Sequence, residues 1–94
     1  MNRNINNSIP DEMKKISKKI AVYAETLKND MKKLLNTHSS MHTSWQGKQY
    51  DDFSRTIEDV NKVIIKQTEK LTNISYEVAK EAEQLRIAND TNVG

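Results

Sequence analysis

His38 and His42 lie four residues apart, a spacing that sets both imidazoles on one face of a helix and that metal-binding pairs use. A metal site also needs further ligands. The chain has no cysteine to supply a thiolate, and carboxylates are sparse on the same turns, so the two histidines read as polar residues near a helix end. Neither a metal nor a cofactor is expected. The chemistry of catalysis is equally thin: the sequence shows no glycine-rich phosphate loop and no nucleophile with a base at a recognised spacing. A slim helical chain also offers little concave space for a substrate pocket. The expectation is a protein that is not an enzyme.

What stands out instead is Ser44-Trp45-Gln46-Gly47, near the middle of 94 residues. Trp45 is the only tryptophan, and Gly47 is the only glycine apart from Gly94. The largest side chain and the one internal residue that tolerates a positive φ therefore share one place, as a hairpin turn requires.

The elements around that turn follow from composition and periodicity. Hydrophobic residues make up 35% and charged residues 30%, with one proline and two glycines, which favours helices over strands. Fifteen basic residues against thirteen acidic ones give a formal charge of +2, and the two signs are interleaved along both halves. No basic stripe forms, so nucleic acid is not expected as a partner. No stretch reaches the length of a membrane span. The first residues are polar and lack the apolar core of a secretory leader, so any export is expected to proceed without a cleaved signal peptide.

Residues 1–8 are asparagine-rich without apolar periodicity and are expected to be a flexible arm. Ser8-Ile9-Pro10-Asp11-Glu12 reads as a helix start, with a capping hydroxyl, a proline in the first turn and acids near the positive end of the dipole. Helix one is expected over residues 9–43. Its apolar stripe runs through Met13, Ile16, Ile20, Tyr23, Leu27, Met31, Leu34 and Met41, with His38 in the same register. Hydroxyl residues from Thr37 to Ser44 then favour an end over a helix interior.

After a turn at residues 44–48, helix two is expected over residues 49–88. Tyr50, Phe53, Ile57, Val60, Ile64, Leu71, Ile74, Val78, Leu85 and Ala88 fall on alternating steps of three and four. Gln67 and Glu81 are the polar occupants of that register. The heptad pattern predicts coiled-coil-like packing. Residues 89–94 lose it and are expected to fray as a flexible tail.

So short a link makes the two helices antiparallel. Leu35, Val63, Ile65, Tyr76 and Ile87 lie off the stripes. Two helices cannot enclose so wide an apolar surface, and the surplus predicts pairing with another hairpin into a four-helix bundle. The residues expected to carry partner binding are Ile57, Val60, Ile64, Ile65, Leu71, Ile74 and Val78.

The central Trp45-Gln46-Gly47, its flanking amphipathic helices and Phe53 eight residues after the tryptophan resemble the WxG family, the early-secreted-antigen type of small helical hairpin exported by type VII secretion systems. The resemblance covers essentially the whole chain. It implies homodimers or heterodimers built as four-helix bundles, a turn role for Trp45 and Gly47, and a helix-two anchoring role for Phe53 beside Tyr50. Many family members, or their dimer partners, also carry a tyrosine followed four residues later by an acid, an export signal read by the secretion ATPase. Here Tyr76 is followed at that place by Lys80, and the acid arrives one residue late at Glu81. That shift turns the carboxylate about 100° around the helix.

The resemblance therefore implies a degenerate export motif and a partner that supplies the missing part. That partner is expected to be a second WxG-type subunit or the helical N-terminal domain of an LxG-type toxin, with this chain as targeting factor, chaperone or co-secreted subunit. A cytoplasmic pool before export is expected as well. The rival reading is a cytosolic coiled-coil adaptor or structural protein with a coincidental W-x-G.

Overall fold

The computed structural model describes the backbone of residues 3–42 and 44–93, and the side chains of residues 8–42 and 44–91. Two helices, α1 (Arg3–Met41) and α2 (Lys48–Val93), form an antiparallel hairpin. It is a rod of 71 × 15 × 11 Å. The all-α hairpin expected from composition and period is the fold observed.

The helix ends differ from expectation. α1 begins at Arg3, so the stretch from residue 3 to residue 8 is helical and not a loose arm. α2 likewise continues to Val93, through most of the expected tail. Burial was the wrong criterion there, because extending an existing helix adds one hydrogen bond per residue fixed and avoids the cost of nucleation. The expected end of helix one at Thr43, and the expected flexibility of residues 1, 2 and 94, fall outside the described residues.

Pro10 consequently sits inside α1 and not in its first turn. Proline there forfeits one i→i−4 hydrogen bond. Its ring is fully buried between the helices, and that packing offsets the loss.

The seam is narrower and more polar than the apolar stripes suggest. On α1 the residues nearest α2 recur every seven positions as Pro10, Ser17, Ala24, Met31 and His38. On α2 they are Tyr50 and Ile57 near the turn, then Thr68 and Ala82 farther along. Two cross-helix contacts fix the stagger. His38 meets Ser54 at 2.8 Å, and Ser17 bonds the Ser75 carbonyl at 2.9 Å while Ser75 bonds the Ser17 carbonyl at 2.9 Å. The heptad step between those contacts sets Ala24 beside Thr68 and Pro10 beside Ala82. Small side chains let the helices approach closely. Most of the large apolar residues are thereby turned to one side of the seam.

Candidate protein-docking face

The turn begins where α1 runs out of helical donors. The Met41 carbonyl accepts from the backbone N–H of Ser44 at 3.1 Å and of Trp45 at 2.8 Å. Ser40 donates its hydroxyl to the Thr37 carbonyl at 2.8 Å, the local competition that hydroxyl-rich helix ends invite. Gly47 has φ of 107° and its carbonyl accepts from Asp51 N–H at 3.1 Å, so it caps the start of α2. A residue with a Cβ is strained at that φ.

Aromatic rings close the turn. Trp45 packs against Tyr50 with centroids 5.6 Å apart and against Phe53 at 5.7 Å. His38 stacks on Tyr50 at 4.8 Å, and His42 meets the same ring edge-on at 5.1 Å. The Tyr50 hydroxyl donates to the His38 carbonyl at 3.0 Å. Ser54 donates to the Tyr50 carbonyl at 2.9 Å, leaving its oxygen to accept from His38 Nε2–H. His38 Nδ1 is then buried without a partner among the described residues. The two histidines are spacers around Tyr50, and no group of three metal-ligating side chains occurs among the described residues.

The two sides of the hairpin differ in character. Taking about 100° per residue, rows three and six positions beyond the α1 seam lie on the same side as the Phe53, Val60, Ile74 row of α2. This front carries Met13, Ile20 and Leu27, half-buried, beside Ile16, Tyr23 and Leu34, which are exposed. From α2 it carries Val60, Val63 and Ile74, respectively 39%, 56% and 48% exposed. The back is a shallow groove of about 600 Å³ lined by Ala21, Ala24, Thr68 and Thr72 with Glu25, Lys28, Glu69 and Asn73.

The residues expected to bind a partner are split by this geometry. Val60 and Ile74 lie on the front, where half-buried Ile64, Leu71 and Val78 border the seam. Ile57 is buried between the helices next to the turn and so is unavailable to a partner, although Ile64, Leu71 and Val78 of the same heptad row are only half-buried. Ile65 faces the back beside Leu35 and Lys28. The front residues of α1 were legible only as a stripe; the heptad of small residues at Ser17 and Ala24 is the signal that the stripe lies off the seam.

Tyr76 is 76% exposed. Glu81, five residues on, is turned about 140° from it around α2. The two do not meet on one side.

Compared with models of known families, residues 8–90 match WXG100, proteins of 100 residues with WXG. The chain belongs to the WXG100 family. None of the curated proteins or solved structures compared with it gives a match. WXG100 proteins are small helical proteins secreted through type VII systems, and they generally form protein–protein complexes. Trp45 and Gly47 are the W and G of the family's name, and here they bring the aromatic cluster and the helix cap to one turn. Among the described residues, no helix is long and apolar enough to cross a membrane.

Proposed function

We propose that this WXG100 chain is a non-enzymatic binding subunit of a type VII secretion pathway, which lays its front face against a partner hairpin to complete a four-helix bundle. The partner is a second WxG-type subunit or the helical N-terminal domain of an LxG-type toxin. The chain serves it as targeting factor, chaperone or co-secreted subunit, from a cytoplasmic pool before export. The observation that carries this reading is the uncovered front: Ile16, Tyr23, Val60, Val63 and Ile74 are exposed apolar side chains on one side of a rod too thin to bury them. Covering each such side chain is worth about 1.5–3 kcal/mol before ordering costs are subtracted.

The separation of Tyr76 from Glu81 supports dependence on a partner for export. With Lys80 one helical turn after Tyr76, the tyrosine has no acid below it. A secretion ATPase that reads a Tyr-acid pair would find it on the partner.

Co-expression with the helical protein encoded beside it, followed by assay of both in cells and culture medium, tests the reading. The two are expected to co-purify and to leave the cell together. Ile74→Asp is expected to abolish both outcomes while leaving the chain helical. Export of a self-paired dimer at normal levels without any neighbour would sink the partner-dependent reading.

A further inference from the structure

Two polar residues interrupt the front face. Gln67 and Glu81 occupy the heptad row of Phe53, Val60 and Ile74, so they project on the apolar side of α2. Both are exposed, and neither has a hydrogen-bond or ion-pair partner among the described residues. Glu12, Glu25, Asp52, Glu83 and Asp90 each hold a cation of this chain, and among the acids without one Glu81 is the one set in the row of Phe53, Val60 and Ile74.

Docking of another helix on the front would take Glu81 out of water. A carboxylate so covered is strongly unfavourable unless a cation meets it, and an amide such as Gln67 needs a hydrogen-bond partner. A second copy of this chain brings no such cation. The rows that would face it, at seven-residue steps from Met13 to Met41 and from Phe53 to Ala88, contain no Lys or Arg. Asp30, in the outer row of α1 with Ile16 and Tyr23, would add another carboxylate. Lys70 shares the row of Val63 at the outer edge of this face, where an ammonium stays hydrated and contributes little.

We propose that Glu81 and Gln67 select the occupant of the front face, and that this occupant is a different polypeptide. It is an amphipathic helical segment whose apolar surface carries a Lys or Arg opposite Glu81 and an amide or hydroxyl opposite Gln67. Single polar residues inset in an apolar helix face specify pairing in this way, at a cost in affinity for mismatched chains. The proposal rests on the front being the docking surface.

Sedimentation equilibrium on the purified full chain tests it without knowledge of the partner. The wild type is compared with Ile74→Asp, with Glu81→Leu/Gln67→Leu, with Glu81→Gln, and with the double variant carrying Ile74→Asp; circular dichroism checks helicity. Replacing both polar insets is expected to tighten self-association at least tenfold, Glu81→Gln less, and Ile74→Asp is expected to reverse the gain. A tight wild-type dimer that the double variant leaves unchanged or weakens would overturn the proposal in favour of a second copy. In that case its disruption by Ile74→Asp would leave the docking surface itself standing. If neither chain self-associates, the front does not dock even when fully apolar, and proposal and docking surface fall together.

Discussion

The hairpin is held differently at its two ends. At the tip, α1 and α2 are joined by covalent turn, cap and aromatic packing: Trp45, Tyr50, Phe53 and His38 bury their rings on one another. At the open end the helices meet through hydroxyls and charges: the reciprocal Ser17–Ser75 bonds, then Lys14 at 3.3 Å from Glu83, which Arg86 also holds. Exposed ion pairs are screened by salt and contribute little, whereas ring packing does not depend on them. One end of the rod is closed by packed rings; at the other, polar contacts and the small buried residues Pro10 and Ala82 form the seam, which fully buries no large apolar side chain. That leaves those side chains for the front.

The contrast is broken most severely at the tip. Tyr50→Ala is expected to cost about 3–5 kcal/mol in urea-induced unfolding, because it removes the ring on which Trp45, His38 and His42 pack. Tyr50→Phe keeps that packing and loses the bond to the His38 carbonyl, so about 1 kcal/mol is expected. Equal losses for the two would mean that the hydroxyl and not the ring closes the tip.

Gly47→Ala comes next. No atom lies within 4 Å of where its Cβ would stand, so the expected loss of about 1–3 kcal/mol arises from the backbone at φ of 107° alone. A neutral result in thermal melting would show that the turn relaxes to a different conformation.

At the open end the effects should be smaller. Ser17→Ala is expected to cost about 1 kcal/mol, since Ser75 can still donate to the Ser17 carbonyl. Hydrogen exchange should quicken around residues 10–20 and leave the tip unchanged. Quickening throughout would erase the distinction between the ends.

The smallest effect is expected from acid. Hydrogen bonds from Arg86, and then from Lys14, hold the Glu83 carboxyl at about 2 against an ordinary value of 4.5. The unfolded chain therefore binds that proton more readily than the folded one. The contribution is complete above about pH 4.5 and is lost as pH falls from there towards 2. Glu83→Gln should flatten this part of the pH–stability profile, as should high salt. A profile unchanged by the substitution would show that the pairing adds nothing to stability.

The periodicities of three and four residues made both helices legible, and Trp45 with Gly47 marked the turn between them. Their ends were not legible, because propagation of a helix through residues 3–8 and into the tail follows from continuity and not from apolar pattern. The site was legible in part. Val60 and Ile74 belong to the front, but Ile57, of the same residue class on the same stripe, is buried in the seam. A stripe states which side of a helix is apolar, and it does not state which neighbour covers it.

By itself the sequence determined an all-α hairpin with its turn at Trp45–Gly47, since side-chain spacing and backbone permissiveness are local properties of the chain. Only the tertiary structure decided where the seam runs. Ser17 against Ser75 and His38 against Ser54 are matched at one stagger, and that stagger rotates Ile16, Tyr23, Val60 and Ile74 away from the opposing helix. Rotation about a helix axis is fixed by what each side chain meets across the gap, which no single helix can specify.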